Sequence, residues 1–283
     1  MKVTVSVDKS LVEKLRRRDF FYNLKATSVE TGKRASRAKG QGLEFYGYSQ
    51  FTQGDSLKFV DWKLYSRTGK LYSKNFHEEK RLTVAIYLDL SDSMLYDFEK
   101  IQAAWQIVCA FTYIGILNRD KVLLRLNEFQ VIDSLAKARF LLSQYELSSK
   151  KNSESELSRF LSFLRIPSIF VWISDFLDPL DEQEKIVKLL SSQSAKIFLI
   201  QVLSKKEIFP ELKKSVLVVD PENINERKIV GPSSLEDFKL NFRTHQRKLQ
   251  ELCRSYRIDL VTLDNPLGVK DFILKYCPKI RYG

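Results

Sequence analysis

"TVAIYLDLSDSM", residues 83–94, decides the reading of this chain. Val84 to Leu88 is an apolar run that stops at Asp89. A short apolar run bounded by polar turn residues reads as a buried strand, here residues 84–90. Ser91 and Ser93 follow at spacing two, and a helix-like segment comes next. Three oxygen-bearing side chains at i, i+2 and i+4 behind a strand end admit three readings. They are donors for a hard cation, caps for the next helix, or a nucleophile with its support.

The same strand-then-helix pattern continues outward. A long helix is expected near 97–118, a strand at 121–127, and helical stretches near 134–147 and 153–164. Strand "SIFVWIS" (168–174), helix 181–192 and strand "KIFLIQVL" (196–203) follow, then a short "SVLVVD" (215–220). A helix at about 234–256, strand 258–263 and a last helix at 267–275 complete the pattern. Near-continuous apolar strands alternating with helices predict an α/β fold, a doubly wound and mostly parallel sheet covered on both faces. The pattern changes at Leu82. Residues 1–82 are expected to form a small N-terminal α+β extension, and 83–283 the main domain. In the extension, Ser10 to Glu13 reads as a capping box that opens a helix to about Leu24. The stretch 203–233 is the least regular and reads as an edge insertion.

Composition narrows the class. The 283 residues carry 44% hydrophobic and 29% charged side chains, ordinary values for a globular protein. The longest apolar run, Ile107 to Leu117, is shorter than the roughly 20 residues a membrane span needs and reads as a buried helix. Cys109, Cys253 and Cys277 are far apart and odd in number, with no metal-ligand spacing, which points to a reducing, cytoplasmic setting. Net charge is +12 and uneven. Residues 1–81 hold 18 Lys+Arg against 9 Asp+Glu, or +9, and the remainder holds 29 against 26, or +3. A basic N-terminal third could meet nucleic acid, an anionic membrane or an acidic protein. No zinc finger or RNA-binding aromatic motif accompanies it.

In an open α/β sheet, sites form beyond the carboxyl ends of the strands. Two strands here end on aspartate: 84–90 at Asp89, and 168–174 at Ser174-Asp175. Placed on neighbouring strands, Asp89 and Asp175 would converge, with Ser91 and Ser93 pointing into the same space. Hard oxygen donors of this kind suit Mg²⁺ or another divalent cation. Few carboxylates beside neutral hydroxyls would leave such an ion under-neutralised and open to a carboxylate from outside. Without an ion, the two acids would repel each other.

"DLSDSM" (89–94) resembles the Asp-x-Ser-x-Ser metal-ion-dependent adhesion site of von Willebrand factor type A domains. "GQGLEF" (40–45) and "GDSLKFVDWKLYSRTGKLYSKNFHEEKR" (54–81), read with "DLSDSM", resemble the signature of the bacterial domain of unknown function fifty-eight family. "SDFLD" (174–178), "VVDPE" (218–222) and the helix around His245 also fit. The chain departs from that signature at Ser49, Ser56, Lys58, Val60 and Ser66, and the metal motif itself is intact. The resemblance implies a type A-like domain whose metal ligands are Asp89, Ser91, Ser93 and Asp175. The adhesion-site pattern also takes a threonine from a middle loop, where Ser153 is the stand-in. The implied partners are a MoxR-type AAA+ ATPase and membrane-tethered type A domain proteins. The implied localisation is cytoplasmic, peripheral at the inner membrane through those partners.

Other function classes are weighed on the same residues. A haloacid-dehalogenase-like phosphatase would place its nucleophile at Asp89 but wants a second Asp where Ser91 stands, and "ISDFLD" offers no catalytic Lys. Nucleic-acid binding would use the basic N-terminal third. Gly40, Gly42 and Gly54 read as turn residues, since no Walker Lys-Ser/Thr follows. His77 and His245 have no Ser or Cys partner and read as surface or interface residues; Glu78 and Glu79 read as a solvated charge pair. Asp61-Trp62 reads as a buried Trp held by a local hydrogen bond. The preferred reading is a binding module without catalysis.

Overall fold

In "KVTVS", Lys2–Ser6, valines alternate with polar residues, the period of a half-buried strand, and this segment is β1. The structure is a computed structural model. It describes residues 1–17, 44–53, 56–77, 82–150, 154–164, 168–193, 196–210, 215–219, 227–232 and 234–276. After β1 comes α1 (Lys9–Arg17); the part of the expected helix beyond Arg17 lies outside the described residues. Ser10 is not its cap. Asp8 takes that place, because its carboxylate accepts the Ser10 N–H at 2.8 Å and its carbonyl accepts from Leu11 and Val12. An ionised acceptor two residues upstream outcompetes the serine hydroxyl.

The chain divides into two units, Met1–Lys25 with Leu82–Gly283, and Ala26–Arg81. In the smaller unit, β2 (Glu44–Gln50) pairs antiparallel with β3 (Tyr72–His77), and α2 (Trp62–Thr68) lies between them in sequence. Asp61 organises this unit. It caps α2 by accepting from the Lys63 and Leu64 amides, both at 3.0 Å, and also accepts from the Tyr48 hydroxyl (2.8 Å) and Lys74 (3.1 Å). The Leu64 amide, then Tyr48 and Lys74, hold its carboxyl down to about 2. The expected burial is reversed: Trp62 is 58% exposed and Asp61 only 7%. α2 ends at Gly69, whose φ of +67° is the left-handed conformation that glycine adopts without a Cβ clash.

The larger unit continues with β4 (Thr83–Leu88), α3 (Asp92–Tyr96), α4 (Phe98–Leu117), β5 (Lys121–Arg125), β6 (Phe129–Ile132), α5 (Leu135–Ser143) and β7 (Gln144–Ser148). Then come α6 (Glu154–Leu161), β8 (Ser168–Ser174), α7 (Leu180–Ser191), β9 (Lys196–Val202) and α8 (Lys205–Ile208). The hairpin β10 (Val216–Val219) and β11 (Arg227–Val230), α9 (Ser234–Ser255), β12 (Asp259–Leu263) and α10 (Val269–Tyr276) complete it. Six strands form the central sheet in the order β12-β9-β8-β4-β5-β6, parallel except for the antiparallel edge strand β6. The expected mixed α/β architecture with a mostly parallel sheet is what the chain adopts.

Alternation along β4 sorts the core into two layers. Val84, Ile86 and Leu88 face a cluster built on α4, with contributions from α1, α5 and α10. Ala85 and Tyr87 face the other cluster, with Phe160 of α6, Val187 and Leu190 of α7, and Leu249 and Cys253 of α9. Each large aliphatic buried this way contributes about 1.5–3 kcal/mol. α4 is long and apolar enough to cross a membrane by composition, but 83% of that stretch is buried inside the fold. It lies so close to the sheet that a Cβ on Gly115 would stand 2.7 Å from Val122 Cγ2. Cys109 and Cys253 are free and buried.

The N-terminal segment departs from the expected 1–82 extension. β1 pairs antiparallel with β7, from Lys2↔Ser148 to Ser6↔Gln144, and Leu11 and Leu15 of α1 join the α4 core. Gln106 of α4 accepts from the Asp8 amide (2.9 Å) and donates to the Ser6 carbonyl (2.7 Å). The helix expected over 134–147 therefore stops at Ser143, because its end is claimed as a strand by β1.

Asp120, just before β5, accepts the Leu82 amide at 3.1 Å through one oxygen, while its other oxygen has no hydrogen-bond partner among the described residues. Burial raises this carboxyl to about 6, only partly offset by the Leu82 amide. With the folded value above the unfolded one, ionised Asp120 opposes folding. The penalty is absent below about pH 4 and grows as pH rises through 6. Asp120→Asn should therefore stabilise the protein by about 1–2 kcal/mol at pH 7.5, after discounting for residual solvent screening, and by nothing at pH 3.5. Thermal unfolding of both proteins at the two pH values checks this; an equal difference at both would refute it.

Candidate functional site

The order of the sheet brings the two aspartates together. From β4 the chain crosses through α4 to β5 on one side, while β8 lies on β4's other side. The gap between the carboxyl ends of β4 and β8 is thus the topological switch point, where the connections diverge and leave a crevice. Leu88 pairs with Ile173, and the Asp89 amide donates to the Ile173 carbonyl at 2.9 Å. Asp89 and Asp175 consequently sit at adjacent strand ends, 1% and 3% exposed.

Ser91 occupies the N-cap position of α3, yet its hydroxyl makes no capping bond. It lies 3.1 Å from Ser93 Oγ instead, and Ser93 Oγ donates to Asp175 Oδ2 at 2.9 Å. Asp89 turns the loop by accepting the Ser91 amide through Oδ1 at 2.8 Å. The four expected residues Asp89, Ser91, Ser93 and Asp175 are therefore gathered at one place. Ser153 lies outside the described residues. The Lys150 amide donates to the Leu90 carbonyl at 2.8 Å, so the described chain reaches the site loop three residues before it.

Sequence reasoning missed five residues that complete the arrangement. Ser174, read only as the strand end, donates from Oγ to Asp89 Oδ2 at 2.6 Å and accepts the Phe176 amide at 3.2 Å. Lys100 on α4 is fully buried, and its ammonium donates to Asp175 Oδ2 (2.8 Å), Glu207 Oε1 (2.5 Å) and the Ser93 carbonyl (3.4 Å). Burial pushes that ammonium toward neutrality, but Asp175 and Glu207 outweigh it and hold its pKa above the usual lysine value. Glu207 closes a capping box on α8 with Ser204. Gln201 donates to the Asp175 carbonyl at 2.8 Å, and His245, expected at a surface, meets the Phe176 carbonyl at 2.8 Å. The carboxylates expected to stand in mutual repulsion are instead separately satisfied, Asp89 by Ser174 and Ser91, Asp175 by Lys100 and Ser93. The signal available in the sequence was Lys100 itself, a charge near the start of an otherwise apolar helix.

The donor set fits a hard cation. The donor atoms that the two serines and the two aspartates can offer are all oxygen. Neighbouring ligands of an octahedral Mg²⁺ shell at 2.0–2.1 Å stand about 2.8–3.0 Å apart, close to the Ser91–Ser93 and Ser93–Asp175 separations. Those lengths are also ordinary hydrogen bonds, and it is donor type and charge that favour a cation. Asp89, Asp175 and Glu207 against Lys100 leave two negative charges, the complement of a divalent ion. Among the described residues no three His, Cys, Asp or Glu side chains gather as a metal cluster, so the hydroxyls are essential to this reading.

Residues 47–250 match the family model described as Protein of unknown function DUF58. The chain belongs to the DUF58 family. No curated protein matches this DUF58 chain. Among solved structures, an aerotolerance-related membrane protein from Bacteroides fragilis NCTC 9343, bearing multiple mutations to serines, is 16% identical with a TM-score of 0.42. That match covers 70% of this chain and 99% of the other. The conserved hypothetical protein BatB from Bacteroides thetaiotaomicron is 15% identical with a TM-score of 0.41, covering 70% and 98%.

Ser174→Ala should remove the hydroxyl donor from buried Asp89 and the acceptor from the Phe176 amide, at a cost of about 1–3 kcal/mol. Urea denaturation should show a lower midpoint with an unchanged slope. An unchanged midpoint would mean that this bond contributes nothing to the fold.

Proposed function

We propose that this DUF58 chain is a non-enzymatic protein-interaction module, a von Willebrand factor type A-like domain with a metal-ion-dependent adhesion-type site. The single observation that carries the reading is that the Ser91 hydroxyl turns to Ser93 in place of capping α3, and the Ser93 hydroxyl turns to Asp175. A capping role would aim Ser91 at the α3 amides. A Ser93 nucleophile would have Asp175 as its base, but that carboxylate is already paired with Lys100, and His245 is engaged with the Phe176 carbonyl. Mg²⁺ or another divalent cation would be held by Asp89, Ser91, Ser93 and Asp175, with Ser153 as a further donor. When bound, the ion supplies a positive charge with a coordination position open to a partner's carboxylate.

The chain's own part is to orient donors. Ser174 and the Ser91 amide fix Asp89, and Gln201 fixes the backbone of Asp175. On the family resemblance, the partners are a MoxR-type AAA+ ATPase and membrane-tethered type A domain proteins, with the work being complex assembly or chaperone-like maturation. The protein acts in the cytoplasm, peripheral at the inner membrane through those partners. The basic N-terminal third, +9 over residues 1–81, would steer an acidic partner.

Binding to a purified MoxR-type ATPase should require Mg²⁺ and disappear with EDTA or Asp89→Ala, while the variant stays folded. Mg²⁺ alone at about 100 times its Kd should add about 2.7 kcal/mol of stability, read as a rise in Tm. Phosphatase, nuclease or ATPase turnover that Asp89→Asn abolishes would overturn the reading. Binding indifferent to EDTA would remove the metal from it.

A further inference from the structure

Lys100 ties together the segments that follow β4, β8 and β9. Its ammonium touches Ser93 O in the first, Asp175 in the second and Glu207 in the third. It is fully buried, whereas the Glu207 side chain is 26% exposed. Glu207 is fixed in turn, its Oε2 accepting the Ser204 amide at 2.7 Å. A lysine this deep is costly unless paired, and here two carboxylates pair it. The point that matters is which oxygen it uses. Asp175 Oδ2 receives both the Lys100 ammonium and the Ser93 hydroxyl. The positive charge therefore sits on the same oxygen that accepts the Ser93 hydroxyl.

We infer that Lys100 is a resident counter-ion that sets how tightly the site holds a divalent cation, with Glu207 opposing it. The inference rests on the cation reading of Asp89, Ser91, Ser93 and Asp175 and names the residues that tune it. A fixed ammonium one oxygen away draws on the charge of Asp175 and repels a second cation. Glu207, bonded to the same ammonium, partly cancels that repulsion. Lys100 thereby keeps the ion weakly held until a carboxylate from outside joins it, which makes ion retention and partner capture one event. Lys100 is a positioning and tuning residue; it need not touch ion or partner.

The test is a titration of the full chain with Mn²⁺, followed by electron paramagnetic resonance of the free ion. One neighbouring charge shifts proton binding by 1–3 units, so removing one here should change cation affinity by about tenfold or more. Lys100→Met, neutral and of similar length, should bind Mn²⁺ about tenfold more tightly or better. Glu207→Gln, which keeps size and shape, should bind about tenfold more weakly. Changes in opposite directions are the signature of charge. If Lys100 were only a staple for the three loops, Lys100→Met would weaken binding and Glu207→Gln would leave it unchanged, and either result overturns the inference. Should Lys100→Met fail to fold, as judged by circular dichroism, Glu207→Gln decides alone. Wild-type protein that binds no Mn²⁺ sinks the underlying cation reading, whereas wild-type binding with an unmoved Glu207→Gln sinks the role of Lys100 only.

Discussion

The parallel pairing of β4 with β8 is the constraint on which the site depends. It places Leu88 beside Ile173 and lets the Asp89 amide close the ladder on the Ile173 carbonyl. A parallel pair needs a long crossover, and the crossover from β4 runs the other way, to β5. The two strand ends are left side by side with no connection spanning them. Everything polar in the crevice follows from this. Residues that end those strands must either be apolar, and close the crevice, or polar, and be satisfied within it. This chain does the second with two aspartates and Ser174.

Burying such carboxylates demands compensation, since an uncompensated buried charge costs several kcal/mol. The compensation is local and divided. Asp89 is held by neutral donors, the Ser91 amide and the Ser174 hydroxyl. Asp175 is held by a cation, Lys100, and by the Ser93 hydroxyl. The division leaves the two acids inequivalent. Asp175 is paired with the Lys100 ammonium, while Asp89 accepts from the Ser174 hydroxyl. That asymmetry comes from a residue on α4, which the crossover from β4 lays across the sheet.

The strands that carry the site were legible because burial on both faces forces continuous apolar runs, and "TVAIYL" and "SIFVWIS" are of that kind. The doubled Asp ending was legible for the same reason, as a run that stops on a charge is conspicuous. What was not legible depended on partners distant in sequence. β7 looked helical because α5 leads straight into it, and only pairing with β1, over 130 residues earlier, makes it a strand. β6 and β11 are edge or hairpin strands of only four residues each, too short for a periodic run to announce them. Trp62 was expected to be buried because an aromatic ring is ordinarily the buried member of a pair such as Asp61-Trp62. Here four donors converge on the carboxylate, and burial goes to the group with the partners.

Phe176 shows how a single side chain can serve two levels of structure at once. Its φ is +50°, a left-handed conformation that costs a non-glycine residue about 1–2 kcal/mol. A glycine there would make the turn without that cost. It would forfeit the ring, which is 1% exposed and packs edge-on against Trp172 at 5.5 Å in the second core layer. Burying an aromatic of that size stabilises by about as much as the backbone strain opposes, or more. The carbonyl of Phe176 is then fixed by His245 of α9, and its amide by Ser174. With the residue after Asp175 anchored in the core and hydrogen-bonded at both ends, the backbone at Asp175 has little freedom left. The carboxylate points toward Ser93 and Lys100 because the next residue is held elsewhere, so the precision of the site is inherited from core packing.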